Sequence, residues 1–189
     1  MPQLHWLPDD PCWRARLKAL RTVASPAKAW SEAAALANLR MDFVRTNALD
    51  QTVRAVLGDT PPQGLAGSPV RLALLGSCTM AHLHGAIRVA GLRRGIWIDI
   101  YENDYGQYLQ ELTDPTSAAH DFGPTTVLLA LDAHHLVAGI SSQLDPEQAE
   151  DAIRERTGRI AECWRLSREA FRCPLIHQTP LPVHPDLLV

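Results

Sequence analysis

The sequence has no long hydrophobic run: nothing in it approaches the roughly 18 consecutive apolar residues of a membrane span, so no membrane partner is expected. It also lacks an excess of positive charge. The formal net charge is -3 and the isoelectric point near 6.2, which argues against nucleic acid or an anionic lipid surface as the main partner. The N-terminal stretch MPQLHWLPDDPCW has neither the basic start nor the apolar core of a signal peptide, and a cytoplasmic location is the default expectation. Cysteine pairs are missing as well. Cys12, Cys78, Cys163 and Cys173 lie far apart with no C-x-x-C spacing, which argues against a disulfide framework and a structural zinc site. No metal and no cofactor are expected, and there are no internal repeats or low-complexity tracts.

What is present is an ordinary globular composition. The 189 residues are 46% apolar and 21% charged, enough for a real hydrophobic core. The first third reads as helical. Asp10-Pro11 and Ser25-Pro26 each place a capping residue before a proline suited to the first helical position. The first helix would turn Trp13, Leu17 and Leu20 inward; the second would use Trp30, Ala33, Leu36, Leu39 and Phe43. Asn47 is the expected cap of a third helix that ends at Gly58. DTPPQGLAGSP, Asp59 to Pro69, is the clearest linker.

After the linker the pattern alternates. Val70 to Leu75, Gly95 to Tyr101, Thr125 to Asp132 and PLIHQT read as strands. Thr79 to Arg94, Asp104 to Leu112 and the segment PEQAEDAIRERTGRIAECWRLSREAF read as helices, the last with a stripe of Ala149, Ile153, Ile160, Trp164 and Phe171. The expected fold is therefore α/β, a doubly wound parallel sheet preceded by helices. The expected domains are a helical extension over residues 1–58 and an α/β domain over residues 70–189. No covering helix follows the last strand in LIHQTPLPVHPDLLV, so a domain truncated at its C-terminus is expected.

In such a sheet, ligands gather at the carboxyl ends of the strands. Those ends carry Gly76-Ser77-Cys78, Tyr101-Glu102-Asn103, Asp132-Ala133-His134-His135 and Gln178-Thr179. Cys78 is the most informative. At the start of a helix, free N–H groups and the helix dipole would lower its pKa and stabilise an oxyanion; otherwise it is a small buried hydrophobe. His134 and His135 are candidate bases or a solvated loop pair. His82, four residues beyond Cys78, would share its helical face, whereas His82 and His84 point apart and make a poor chelate. Asp132, a carboxylate ending an apolar strand, needs partners; it is either functional or a cap for the next turn. Tyr101, Tyr105 and Tyr108 either line a pocket or pack.

LALLGSCTM, then IDIYENDYGQYLQELTDPTSAAHDFGPTTVLLALDAHHL, resembles the N-terminal domain of FkbH-like proteins, the glyceryl-transferase/phosphatase enzymes of polyketide pathways and related proteins of polysaccharide clusters. The resemblance runs from RMDFVRTNALD, Arg40 to Asp50, to about Gln178. It implies a three-layer α/β/α domain similar to SGNH hydrolases and flavodoxin-like folds. In the family this domain is typically followed by a phosphatase domain of the haloacid-dehalogenase type. The activity implied is delivery of a glyceryl group to an acyl carrier protein as a thioester.

Gly76-Ser77-Cys78 matches the Gly-Asp-Ser nucleophile block of those hydrolases, with Cys78 where serine would be. Asp132 matches the block that carries an oxyanion-donating Asn. The hydrolases' Asp-x-x-His pair has no counterpart, and no Asp-x-Asp-x-Thr motif occurs, so phosphate-ester hydrolysis is not expected. The resulting expectation is acyl transfer through a Cys78 thioester to an acyl carrier protein. Cys78, Asp132, His134 and His135 would be catalytic, and Gly76, Ser77, Thr79, Tyr101, Asn103 and Gln178 would bind substrate. The alternatives are a non-catalytic module that docks the carrier protein or a partner phosphatase, or an SGNH-type esterase.

Overall fold

A computed structural model of the chain describes residues 6–63, 65, 67–141 and 143–180. The C-terminal residues 181–189, where truncation was expected, and positions 64 and 66 of the linker lie outside the described residues. By its backbone contacts the chain divides into two compact units, Met1–Val70 with Ala81–Asp99 and Arg71–Met80 with Ile100–Val189.

The first unit is helical. Its elements are α1 (Trp13–Leu20), α2 (Pro26–Ala37), α3 (Phe43–Leu57), a 3-10 turn (Ala81–Leu83) and α4 (His84–Leu92). Ser25 caps α2 as expected, accepting from the Lys28 N–H with Pro26 in the first turn. Asp10 does not cap α1 directly: its carboxylate and carbonyl take the N–H groups of Cys12 and Trp13, and the helix starts after Pro11. The third helix also begins earlier than Asn47. Asp42 accepts from the Arg45 N–H at 2.7 Å and starts α3 at Phe43, so Phe43 belongs to this helix and is 57% exposed.

Alanines make the core of this unit thin and close. Ala29, Ala33 and Ala37 are buried on α2 beside Leu36, in one cluster with Trp13, Leu49, Val89 and Leu92. Between α3 and α4 the approach is closer still: a Cβ on Gly85 would sit 2.8 Å from Asn47 Oδ1. The same pair of helices is joined by Arg88, whose Nε and Nη2 each donate to the Asp50 carboxylate at 2.7 Å.

The sheet has the order β2-β1-β3-β4, with β1 (Val70–Gly76), β2 (Ile98–Glu102), β3 (Thr126–Ala130) and β4 (Leu175–His177). β1 pairs in parallel with β3, and β3 with β4. This is the expected α/β class, a parallel sheet with helices N-terminal to it and the architecture of a three-layer α/β/α fold. β1 is central because its sequence allows burial on both faces: Leu72 to Gly76 are all buried. Ala73 and Leu75 pack with Leu112, Ala119, Val127 and Leu129, and strand alternation sends Leu72 and Leu74 to the opposite face.

The second unit adds α5 (Tyr108–Thr113), α6 (Ala118–Phe122), α7 (Ala133–Val137) and α8 (Pro146–Phe171). The short helices α6 and α7 were not expected; five residues are too few to show a period. α8 starts with a capping box between Asp145 and Gln148, but its buried face differs from the expected stripe. Ile153 is 66% and Trp164 40% exposed, while Cys163 and Ser167 are buried and Ile160 and Phe171 pack beside them. The inward face is thus Ile160, Cys163, Ser167 and Phe171, at helical spacing; a cysteine and a serine give little hydrophobic signal. Among the described residues, no helix is long and apolar enough to cross a membrane.

Candidate functional site

The site is built on the segment that leaves β1. Ser77 is 3% exposed and is held by the end of β3 in three ways. Its N–H donates to Ala130 O at 3.1 Å, its hydroxyl donates to Asp132 Oδ2 at 2.5 Å, and its Oγ accepts the Asp132 N–H at 2.9 Å. From the other side, Asn103 closes on Gly76: Oδ1 accepts the Gly76 N–H at 2.6 Å and Nδ2 donates to the Gly76 carbonyl at 3.1 Å. Asn103 Nδ2 also donates to Asp104 O at 2.6 Å. Gly76 has no room for a side chain, since a Cβ there would lie 2.8 Å from Met80 Cε and 3.0 Å from Ala130 O. At the far end the Met80 N–H donates to the Glu102 carboxylate.

The segment is therefore pinned at Gly76, Ser77 and Met80, and only Cys78 and Thr79 between them are exposed. Buried polar groups are saturated by one another, which rigidifies the segment.

The expected helix start at Thr79 is overturned. The chain passes through the 3-10 turn Ala81–Leu83, and α4 begins only at His84 with Leu83 as its cap residue. Cys78 thus receives no helix dipole, and His82 does not share a helical face with it. The thiol is pushed up rather than down, first by burial and then by the negative charges of Asp132 and Glu102. Asp132 moves the other way: the Ser77 hydroxyl and the His135 N–H, donating to its carboxylate, hold it below the usual carboxylate value. Asp132 is ionised at neutral pH and also caps α7, accepting the His135 N–H at 3.0 Å.

Of the other sequence candidates, His134 and His135 follow Asp132 on α7, while Tyr101 and Gln178 are engaged elsewhere. His135 is committed to Tyr108: its Nε2 lies 2.9 Å from the phenol oxygen, with the rings edge-to-face. His134 is exposed on α7, near enough to Asp132 for its charge to favour the carboxylate. The Tyr101 hydroxyl donates to the buried Glu111 at 2.8 Å, whose other oxygen accepts the Ala119 N–H; burial and that carboxylate push the phenol strongly up. Tyr101 thus braces α5 and α6. Gln178 is exposed, and its N–H continues the sheet by donating to Leu129 O. Sequence reasoning placed Glu102 at the strand end without giving it a role, and it missed Glu111. Among the described residues no group of His, Cys, Asp or Glu is arranged to hold a metal ion.

The family model for the FkbH N-terminal domain matches residues 71–178, more than half of the chain. The chain belongs to the FkbH N-terminal domain family. The match starts after the linker, so the RMDFVRTNALD segment stands outside it. No curated protein matches the chain. Among solved structures the chain is similar to the N-terminal part of the protein BF1531 from Bacteroides fragilis, described as containing a phosphatase domain complexed with Mg, at 23% identity and a TM-score of 0.51. That alignment covers 63% of this chain and 31% of the other. The likeness supports the fold, and the chain spans less than a third of the protein it matches. As an FkbH N-terminal domain, the chain carries its pinned Gly76-Ser77-Cys78 segment inside the matched region.

Proposed function

We propose that this FkbH N-terminal domain carries an acyl group as a thioester on Cys78 and passes it to an acyl carrier protein. The observation that supports this is an exposed thiol at the carboxyl end of the central strand, on a segment locked at both ends and flanked by two carboxylates. The resting thiol is protonated, so loading requires a base. Asp132 is ionised and is one of the two charges that keep the proton on the sulfur. As the sulfur attacks the carbonyl carbon of an acyl phosphate or thioester, its proton passes to His134, exposed on α7 beside Asp132, the C–S bond forms, and the leaving group departs with its electron pair. Attack by the carrier's thiol on the same carbonyl then releases Cys78.

Ser77, Asn103 and Gly76 serve this reading as the frame that fixes the thiol. Thr79, exposed next to it, is the side chain left to meet the substrate. A docking module for a carrier protein or a partner phosphatase is the second reading, favoured by the raised thiol pKa and the absence of a helix start at Cys78. For the esterase reading, His135 would have to give up Tyr108.

The test is intact-mass analysis of the chain after incubation with small acyl phosphates and acyl thioesters, followed by addition of a phosphopantetheine-bearing carrier. Acyl transfer predicts an adduct mapped to Cys78, absent in Cys78→Ala and chased onto the carrier. Carrier binding without any adduct would leave the docking module. Multiple-turnover release of free acid would point to the esterase.

A further inference from the structure

A cavity of about 200 Å³ lies between α5, α7 and α8 in the second unit, at the carboxyl end of β3. Its floor is apolar, made by Leu131, Leu136 and Ile160. Its polar wall is Tyr108, His135, Arg156 and Arg159. No carboxylate stands among the residues that line it, and two arginines do.

Arg156 is the sharper observation. One of its Nη2 hydrogens goes to the Ala138 carbonyl at 3.0 Å, yet its Nε is buried without a hydrogen-bond partner among the described residues. A buried guanidinium donor left unused is uncommon, because the lost hydration is not replaced. Arg159 pairs with Glu155 at 2.6 Å on the exposed side of α8 and still opposes, through its charge, the burial-driven rise in the Tyr108 pKa. Tyr108 and His135 hold one another, and so present a phenol and an imidazole in fixed positions.

We infer that this cavity is a binding site for a small oxyanion, a phosphate or carboxylate group on a compact ligand, held by Arg156 and Arg159 and recognised by the Tyr108–His135 pair. Guanidinium suits both anions because its parallel N–H groups match two oxygens at once. The volume falls below the roughly 300–1,000 Å³ of sites for drug-sized ligands, so the occupant is a metabolite-sized acid rather than a coenzyme. The site does not depend on what Cys78 does: no residue of the Cys78 segment lines it.

The experiment is an NMR titration of the His135 ring in the full chain, assigned with His135→Gln, using inorganic phosphate in one arm and lactate in the other at constant ionic strength. Saturable shifts are expected with at least one probe, and the stronger probe identifies the anion class. Arg156→Gln should weaken that binding about tenfold or more, whereas Arg156→Lys should retain part of it. Arg54→Gln, which removes the same charge from a surface pair with Asp59, should leave it unchanged. If Arg156→Gln does not fold, Arg159→Gln and Tyr108→Phe carry the same comparison. Absence of a saturable shift with either probe overturns the inference. So does equal affinity in the wild type and in the Arg156 and Arg159 variants.

Discussion

The two units bury polar groups for different ends. In the helical unit, Asp50 is 7% exposed and faces Arg88 through two bonds; the pair joins α3 to α4 and leaves nothing reactive at the surface. In the sheet unit, Ser77, Asn103 and Asp132 are joined almost as densely, but their bonds converge on a turn that holds one thiol exposed. The same device, a saturated polar network, fixes helix packing in one place and presents a side chain in the other. Substitutions should separate the two roles, with stability responding in the first and thiol chemistry in the second.

The largest effect is expected from the alanine-lined helical core. Leu36 is fully buried on α2, and Leu36→Ala should cost about 2–5 kcal/mol, read from urea unfolding. Asp50→Ala follows at about 2–3 kcal/mol, because it leaves a partly buried Arg88 without its partner. A double-mutant cycle with Arg88→Met should recover much of that loss, while the alkylation rate of Cys78 in the folded protein stays unchanged in both variants.

Asp132→Asn should do the reverse. Removing its negative charge lowers the Cys78 pKa toward the ordinary thiol value, so the pH profile of Cys78 alkylation, resolved by peptide mass spectrometry, moves to lower pH. The stability signs follow from the same shifts. The Asp132 pKa is depressed in the folded protein, so its contribution is present above the ordinary carboxylate value of 3.8 and fades as pH falls through the folded pKa. Asp132→Asn should therefore flatten the acid limb of the unfolding curve. Cys78 is raised, so its contribution is present below the ordinary thiol value and is lost as pH climbs through the folded one. The smallest effect belongs to Ile153→Ser: at 66% exposure on α8 it should change stability by no more than about 0.5 kcal/mol.

Ile153 also marks where the sequence misleads. Strands β1 and β3, the Ser25-Pro26 helix start and the extent of α8 were legible because each is a local pattern of apolar spacing and capping residues. The inward face of α8 was not, since Cys163 and Ser167 pack as small groups without looking hydrophobic. The break after Cys78 was hidden for a related reason. Met80, Leu83 and Ile87 keep spacings of three and four across it, and a 3-10 turn shares the three-residue step with an α-helix. The Ser77–Asp132 bond spans 55 positions; the topology brings its partners together, and no window of sequence contains both. Asp132 could be named, as functional or as a cap, because it ends an apolar strand, but its service as the Ser77 acceptor is visible only in three dimensions.

The placement of α4 has a consequence for how the chain is made. Residues 81–99 leave the sheet unit and complete the helical one, where Val89 and Leu92 join the cluster of Leu36 and Leu49. During synthesis, α1, α2 and α3 emerge first with their apolar faces waiting, and the partner that covers them follows only after β1. The earliest-made third of the protein thus cannot finish folding ahead of the rest. An expression fragment cut at the Pro- and Gly-rich linker would divide one core between two pieces, and both halves would be expected to aggregate or to require co-expression.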